Sequence, residues 1–418
     1  MYLNAATRLA LVGVFLSSLA YAADAEKDVA GQADWPNWRG PSHNGVSLEK
    51  GWRTDWSANP PKQLWTAKLG YGFSSVAVSG GKVYTMGNNG KQDTVFCLEA
   101  DTGKEVWKQS RQCTTKENYP GSRSTPTVDG KMLYTLGMDG QAFCFEAATS
   151  KVVWNKDYYT DLKPVVPLHK FACSPIVDGE LILLNMGSEG LAVEKKTGNV
   201  VWKSVGEGSY TSVVPFTQGG KHYAALFAGT QLIVLDPATG NKIASAAWKT
   251  KNNESAPDPV IYGGKIFITS GPEGSCGLFE LAGDKLNKVW ENKNLSSYFA
   301  SPVIVGDYVW GFNKNKNWEG WKSDLVCLSL KDGSLQWTQK DVQSGGIMVA
   351  DGKLLILTYN GDLILAEASS AAYKEIGRTK ALPDKPKETF TAGPVLCDGR
   401  IYVRSDNGTL ICLDVKAN

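Results

Sequence analysis

The sequence predicts an all-β fold: an eight-bladed β-propeller closed by an N-terminal strand in the last blade. Three observations predict it. Eight two-residue hairpin turns recur every 41 to 49 residues, seven tryptophans recur with a similar period, and the two ends of the repeat complement each other. A period of this length is typical of propeller blades, each built from four antiparallel strands named A to D.

The hairpin turns are pairs of glycine and aspartate residues, which tolerate the positive φ angles that tight turns require. Each pair lies between two runs of β-branched or apolar residues and therefore predicts the turn between strands A and B. The pairs are Gly80-Gly81, Asp129-Gly130, Asp178-Gly179, Gly219-Gly220, Gly263-Gly264, Gly306-Asp307, Asp351-Gly352 and Asp398-Gly399.

The tryptophans mark strand D, because most of them follow a turn such as Asp101-Thr102-Gly103. Their spacing is 42 to 48 residues, in step with the hairpin turns, and blade 7 lacks one near Glu375–Arg378. The seven are Trp65, Trp107, Trp154, Trp202, Trp248, Trp290 and Trp337.

The ends of the repeat indicate how the ring closes. The eighth period begins near Phe390 and stops after Asp414, where its strand D should start. Gln63–Ala67 is a D-type strand with no A, B or C strand before it. We therefore expect this strand to complete the last blade, which removes the exposed edges of an open ring.

Residues 1–22 are predicted to be a signal peptide. Arg8 precedes the apolar run Leu9–Leu19, and Ala20-Tyr21-Ala22 provides a small-x-small cleavage pattern. No cysteine follows for lipid attachment, so we expect a periplasmic or secreted protein without a membrane anchor. Residues 23–62 are assigned to a lead-in segment and residues 63–418 to the propeller. The 44 basic and 42 acidic residues nearly cancel, which argues against nucleic-acid binding.

Segments such as Val95–Trp107 and Leu232–Gly240 resemble the pyrroloquinoline quinone (PQQ)-type propeller repeat. The resemblance covers the chain from about Trp35 to its C-terminus. It implies an eight-bladed propeller of the kind found in quinoprotein dehydrogenases and in BamB-like assembly scaffolds. The repeat implies the fold strongly and the function weakly, because functions are carried by sites on a fold.

The candidate binding residues come from the face that carries the D-to-A connections and the B–C loops, which vary in length. Strand A lines the central channel, so residues entering it are expected at the mouth of a funnel; packing between blades is the alternative for each. These residues are Arg123, Lys170, Tyr210 and Tyr298. Trp318 and Trp321, in the loop Asn313–Ser323, are candidates for stacking on a ligand or anchoring a partner.

The lead-in segment Asp34–Gly45 holds two further candidates, Arg39 and His43. It resembles the segment that crosses the disc before the closing strand in PQQ-type propellers. A structural clamp is the favoured interpretation, and placement of the two residues at the channel rim is the alternative.

The leading functional hypothesis is a binding or scaffolding module whose variable-loop face binds a protein partner, a small ligand or a glycan. A dehydrogenase using PQQ and calcium is the second hypothesis. It is weakened because the sequence has no adjacent cysteine pair and no Cys-x-x-Cys-His haem motif. Carbohydrate binding through the two loop tryptophans is the third. No residue is assigned to catalysis or to a metal.

The eight cysteines divide into two groups. Cys97, Cys144, Cys327 and Cys412 occupy one slot of strand C in different blades, too far apart to bridge, and are expected as small buried apolar residues. The other four leave room for one disulfide: Cys113, Cys173, Cys276 and Cys397.

Overall fold

The computed structural model describes residues 34–113, 119–250, 255–271, 274–314, 322–385 and 387–417. The strands in this part of the chain form eight sheets arranged as a β-propeller, which confirms the predicted fold. The predicted signal peptide, Trp318 and Trp321 lie outside the described residues. None of the helices in the described part of the chain is long and apolar enough to cross a membrane.

Two strands precede the first complete blade. They are β1 (Val46–Ser47) and β2 (Lys62–Lys68). Blades 1 to 4 then follow, each formed by four consecutive antiparallel strands. Blade by blade these are β3 (Ala77–Ser79), β4 (Lys82–Asn88), β5 (Gln92–Glu99), β6 (Glu105–Gln112); β7 (Thr127–Asp129), β8 (Met132–Leu136), β9 (Gln141–Glu146), β10 (Val152–Asp157); β11 (Ile176–Asp178), β12 (Leu181–Leu184), β13 (Leu191–Glu194), β14 (Val200–Lys203); and β15 (Val214–Gln218), β16 (Lys221–Ala228), β17 (Gln231–Leu235), β18 (Lys242–Ala247).

Blades 5 to 7 repeat the pattern, and blade 8 has three strands of its own. These strands are β19 (Val260–Tyr262), β20 (Lys265–Thr269), β21 (Cys276–Ala282), β22 (Lys285–Asn292); β23 (Val303–Val305), β24 (Tyr308–Asn313), β25 (Asp324–Ser329), β26 (Leu335–Gln339); β27 (Gly346–Ala350), β28 (Lys353–Leu357), β29 (Asp362–Glu367), β30 (Glu375–Lys380); and β31 (Val395–Cys397), β32 (Arg400–Arg404), β33 (Thr409–Asp414). A five-residue helix, α1 (Tyr158–Leu162), follows β10 and is capped by the Asp157 side chain.

The ring closes as predicted. Strand β2 pairs antiparallel with β33, in a register that runs from Lys62 opposite Asp414 to Lys68 opposite Thr409. Strand β1 makes a further contact, parallel to β27 at the inner edge of blade 7. The two strands that precede blade 1 are thus hydrogen-bonded to the ring, β1 at its inner edge and β2 at its outer edge.

Six of the eight predicted hairpin turns lie between strands A and B as expected. Blades 2 and 3 differ by one residue, because Asp129 pairs with Met132 and Asp178 pairs with Leu181 within the ladder. Each aspartate is therefore the last residue of strand A, and the glycine that follows it is the first residue of the turn.

Each strand-D tryptophan contacts the blade that follows it around the ring. In several blades a Cβ on the C–D turn glycine would lie only 2.5 to 2.8 Å from the ring of the preceding tryptophan, as at Gly240 and Trp202. In six of the seven, the indole nitrogen also donates a hydrogen bond to a main-chain carbonyl of that next blade, at 2.8 to 3.0 Å, whereas the Trp248 indole donates to the Ser270 hydroxyl. The donor and acceptor pairs are Trp65 and Ala100, Trp107 and Ala147, Trp154 and Lys195, Trp202 and Pro237, Trp290 and Leu330, and Trp337 and Ser369.

Blade 7 receives its tryptophan from the lead-in segment. Trp56 is 2% exposed and lies so close to Gly377 of β30 that a Cβ there would be 2.8 Å from the Trp56 Cβ. Trp52 packs edge-on against Trp56, with ring centroids 6.3 Å apart. The missing strand-D tryptophan is therefore compensated by aromatic residues outside the repeat.

All eight cysteines are free and buried. The four strand-C cysteines are at most 1% exposed, as expected of small apolar core residues. The disulfide considered among Cys113, Cys173, Cys276 and Cys397 is not formed, because each of these thiols is buried in its own blade.

Replacing Gly240 by alanine should destabilise the protein more than replacing Gly220. Both glycines have φ near +74°, so both alanines carry the same left-handed strain of roughly 1–2 kcal/mol. Only at Gly240 does the new methyl group collide with a tryptophan, which should add roughly 1–3 kcal/mol, whereas Gly220 has open space. Urea unfolding of both variants measures the difference. Equal losses would contradict a role for the tryptophan–glycine contact in stability.

Thiol titration of the purified mature protein in denaturant without reductant should give eight reactive thiols per chain, since all eight cysteines are free in the structure. The same titration after reduction is the control. A count of six before reduction would indicate one disulfide.

Candidate ligand-binding site

A belt of hydrogen bonds joins neighbouring blades around the channel. In six blades a polar residue stands two positions before strand A. In five of them its side chain accepts a hydrogen bond from the main-chain N–H of the equivalent residue one blade earlier, and the first of these N–H groups is that of Ser75. The donor–acceptor distances are 2.6 to 3.0 Å. We call these residues the inner belt: Ser75, Thr125, Ser174, Ser212, Asp258 and Ser301.

The inner belt fixes which side chains face the channel. Because side chains alternate along extended chain, the residue two positions before each belt residue points the same way. These residues line one cavity of about 630 Å³. They are Phe73, Arg123, Ala172, Tyr210, Ala256 and Phe299, joined by Thr391 at the corresponding place in blade 8.

Further aromatic residues complete the wall of this central cavity. Tyr71, Tyr119 and Phe299 are 47%, 51% and 40% exposed, so much of each ring faces the open space. His169 lies between Tyr119 and Tyr210, with ring centroids 5.9 and 5.8 Å away. The remaining lining residues are Trp38, Pro120, Tyr298, Tyr359, Thr389, Ala392, Asp406 and Asn407.

The lead-in segment crosses the channel and forms the base of the cavity. Its first described residues bond to blades 1 and 2, through Trp35 and Val78 and through the Pro36 carbonyl and Val128. Farther along, the Trp38 indole donates to the Asp258 carboxylate of blade 5 at 2.5 Å. Trp38 thereby connects the base of the cavity directly to the inner belt.

Asp258 is the one charged member of the inner belt. It is 3% exposed and accepts hydrogen bonds from Trp38 and from the Ser212 N–H. Burial raises the pKa of Asp258 to about 6, although the nearby Arg39 charge and both hydrogen bonds act in the opposite direction. The carboxyl group is therefore held in position at the cost of an unfavourable buried charge at neutral pH.

Two charged side chains reach the cavity itself. The Arg123 guanidinium donates to the carbonyls of Gly121 and Tyr119 and lies 5.5 Å from the centre of the Phe73 ring. Asp406 accepts hydrogen bonds from Thr389 and Thr391. Burial raises the pKa of Asp406 to about 6. Both charges are thus held in fixed orientations by neighbouring groups.

The other predicted site residues lie elsewhere. Arg39 is 7% exposed and donates to three carbonyls, those of His43, Asn44 and Pro302, so it holds the lead-in segment against blade 6. The His43 ring contacts the Trp38 carbonyl. Neither residue lines the central cavity, and neither does Lys170, whose neighbour His169 does. Arg123, Tyr210 and Tyr298 do line it.

The described residues contain one cluster with metal-ligand chemistry, formed by Asp93, Cys113 and Asp139. Arg111 fills it: the guanidinium donates to both Asp139 oxygens at 2.6 Å and to Asp93 at 3.0 Å. Burial strongly raises the pKa of the Cys113 thiol, which disfavours the thiolate that a metal needs. The cluster is an ion-pair brace between blades 1 and 2.

Most of the cavity wall was not predicted from the sequence, including Phe73, Phe299, Tyr359 and Asp406. The sequence nevertheless contains a pattern that indicates part of the wall. Belt residues are followed by proline in Thr125-Pro126, Ser174-Pro175, Asp258-Pro259 and Ser301-Pro302. Counting back two residues from each such pair gives the residue that faces the cavity.

Comparison with known proteins agrees with this architecture. The family model described as outer membrane protein assembly factor BamB matches residues 49–204, 111–339 and 322–418. No curated protein sequence matches the chain. Among solved structures, BamB from Moraxella catarrhalis is 13% identical, with a TM-score of 0.64 over 85% of this chain and 99% of that one.

Two other structures share this fold. The quinohemoprotein alcohol dehydrogenase from Comamonas testosteroni is 12% identical, with a TM-score of 0.65 over 92% of this chain and 81% of that one. The computationally designed Ika8 protein is 10% identical, with a TM-score of 0.56 over 89% and 99%. At these identities the likeness shows the fold alone.

Asp258 and Asp406 should each contribute a loss of stability as pH rises from about 4 to about 6. The pKa values of both groups in the folded chain are about 6, above the value near 3.9 of an unfolded aspartate, so each carboxyl group binds more protons in the folded state in this range. Each group lowers the free energy of unfolding by up to ~1.4 kcal/mol per pH unit, whereas His43, whose pKa burial lowers to about 4, acts in the opposite direction in both proteins compared. Between pH 4.5 and 7.5 the free energy of unfolding of Asp258→Asn, measured by denaturation, should therefore increase relative to that of wild type as pH rises.

The control for this measurement is Asp284→Asn, because Asp284 lies on an exposed turn. It should keep the wild-type slope. An Asp258→Asn slope equal to that of wild type would show that the buried carboxyl group does not titrate in this range.

Proposed function

The chain belongs to the family described as outer membrane protein assembly factor BamB, and from this premise we propose that it is an exported binding module that holds its ligand or partner in the central cavity. Export is inferred from the signal-peptide pattern of residues 1–22. The family match and the propeller fold support a binding role without naming what is bound.

One observation carries the proposal. The connections into seven blades each place a side chain in the same cavity, and the inner belt holds six of those connections in register. A site assembled from rigid, mutually hydrogen-bonded segments loses little entropy when a ligand binds. The volume of about 630 Å³ is within the range of small-molecule sites.

The rim of the cavity suits contact with something larger than a small molecule. Val165, Leu168 and Val205 are 53%, 69% and 83% exposed on the connections around blades 2 to 4. Exposed apolar side chains grouped beside a pocket favour association. A partner on this face would cover them while inserting a group into the cavity.

The residues present do not fit PQQ with calcium. Calcium takes six to eight oxygen ligands, mostly carboxylates and amides. The described lining of the cavity offers one carboxylate, Asp406, already bonded to two threonines, and one amide, Asn407. The separate acidic cluster at Asp93 and Asp139 is neutralised by Arg111. We therefore assign no redox step to this site.

Filling the cavity should abolish ligand binding. In Ala256→Trp a large ring enters the cavity from a position where the native side chain is small. A ligand at a hundred times its Kd stabilises the folded protein by about 2.7 kcal/mol, and this variant should lose that gain. The measurement is thermal unfolding of the mature protein against small molecules, glycans, peptides, and PQQ with calcium.

Val201→Trp is the matched control, because it adds the same ring at an exposed position on the outer strand of blade 3, outside the cavity. It should respond to ligands as wild type does. A ligand whose stabilisation persists in Ala256→Trp would place its site outside the cavity and contradict the proposal.

A further inference from the structure

The central cavity is larger than a single charged group needs. A cage for one ammonium or one carboxylate surrounds that group closely, whereas this space is about 630 Å³. Its rings come from connections on several sides of the channel and so surround an extended space rather than a single point. The size indicates a ligand with several ring-sized units.

Tyrosine dominates the wall, which makes it both apolar and polar. Five of the lining residues are tyrosines: Tyr71, Tyr119, Tyr210, Tyr298 and Tyr359. Each offers a flat carbon face for stacking and a hydroxyl that donates and accepts hydrogen bonds. A ligand that matches this wall must itself carry C–H faces and hydroxyl edges.

The charged and amide groups lie on one side of the cavity, whereas aromatic rings lie on both sides. Arg123 comes from the entry to blade 2, and Asp406 and Asn407 come from a loop of blade 8. Tyr210 and the pair Tyr298–Phe299, whose ring centroids are 4.1 Å apart, come from the entries to blades 4 and 6 on the opposite side. A ligand in the cavity therefore meets ring faces on both sides and charged hydrogen-bonding groups on one side.

The charges of the cavity favour a neutral ligand. Arg123 and Asp406 are the two charged side chains of its described lining, and they are opposite in sign. An anion attracted to Arg123 would be repelled by the Asp406 carboxylate on the same side. A cation attracted to Asp406 would be repelled by the Arg123 guanidinium. Both groups are fixed by protein hydrogen bonds, so both can form charge-assisted hydrogen bonds to hydroxyl groups without reorganising.

A peptide strand is a poorer match. Peptides that bind by strand addition need a free row of main-chain N–H and C=O groups. At the entrance to the channel the N–H groups of Ser75, Thr125, Ser174, Ser212 and Asp258 are already used by the inner belt. The wall thus offers side chains rather than a strand edge.

From these observations we propose that the central cavity binds a neutral oligosaccharide of two or three sugar units. Sugar C–H faces would pack on Tyr298 and Phe299, and ring hydroxyls would bond to Asp406, Asn407 and Arg123. This inference rests on the proposed function, since it names the ligand class of the same site.

The test is isothermal titration calorimetry of the mature protein with neutral sugars: cellobiose, maltose, lactose, N,N′-diacetylchitobiose, and the trisaccharides cellotriose and maltotriose. At least one should bind saturably. Phe299→Ala should weaken that binding at least tenfold, and so should Asp406→Asn, which keeps the shape of the side chain. Tyr159→Ala should bind as wild type, because Tyr159 is 50% exposed outside the cavity.

The outcomes separate the two proposals. If no sugar binds, but another compound stabilises wild type and not Ala256→Trp, the oligosaccharide is wrong and the binding module stands. If sugars bind equally well to Phe299→Ala and Asp406→Asn, the sugar site is elsewhere and the inference fails. If Ala256→Trp leaves every interaction unchanged, both proposals fail.

Discussion

The contact between a strand-D tryptophan and the following blade is the interaction on which the ring depends. A propeller blade is a small twisted sheet that cannot bury its faces alone, so its stability comes from its neighbours. The indole supplies a large apolar face to the next blade and a directed hydrogen bond to that blade's main chain, as Trp202 does with Pro237. The glycine beneath the ring is required because any side chain would occupy the space of the indole. One contact therefore sets the spacing and the angle between blades.

The residues before blade 1 provide the same kind of tryptophan contact at the two places where the repeat does not provide its own. Trp56 packs on blade 7, which has no tryptophan of its own, and Trp65 carries the contact across the junction from blade 8 to blade 1. Arg39 keeps its charge in a buried place by donating to three carbonyls, although burial lowers its pKa to about 10. The lead-in segment is thus a structural part of the ring and at the same time the base of its cavity.

The binding surface follows from the inner belt. Because five of the belt side chains each satisfy a main-chain N–H of a neighbour, the channel entrance is closed to solvent exchange at those groups and rigid in shape. The residues two positions before the belt residues face the cavity instead, and they differ widely in size and charge, from Ala172 to Phe73 to Arg123. Within each of these short segments the belt residue stabilises the ring, and the residue two positions earlier lines the cavity. The cavity-lining residues can therefore differ between proteins that share the scaffold, so that one scaffold can bind different ligands.

The amino-acid sequence by itself determined the number of blades, the closing strand and the burial of the strand-C cysteines. These features follow from the repeat, because each blade packs in the same way and therefore shows the same local sequence pattern. It also placed Arg123, Tyr210 and Tyr298 at the channel, because they precede strand A. Only the tertiary structure decided that Trp38, Phe299 and Asp406 share one cavity, and that Arg111 fills the acidic cluster. Trp38, Phe299 and Asp406 are separated by whole blades along the chain, and Arg111 and Asp139 lie on neighbouring blades. Their local sequence does not indicate how closely the closed ring brings them together.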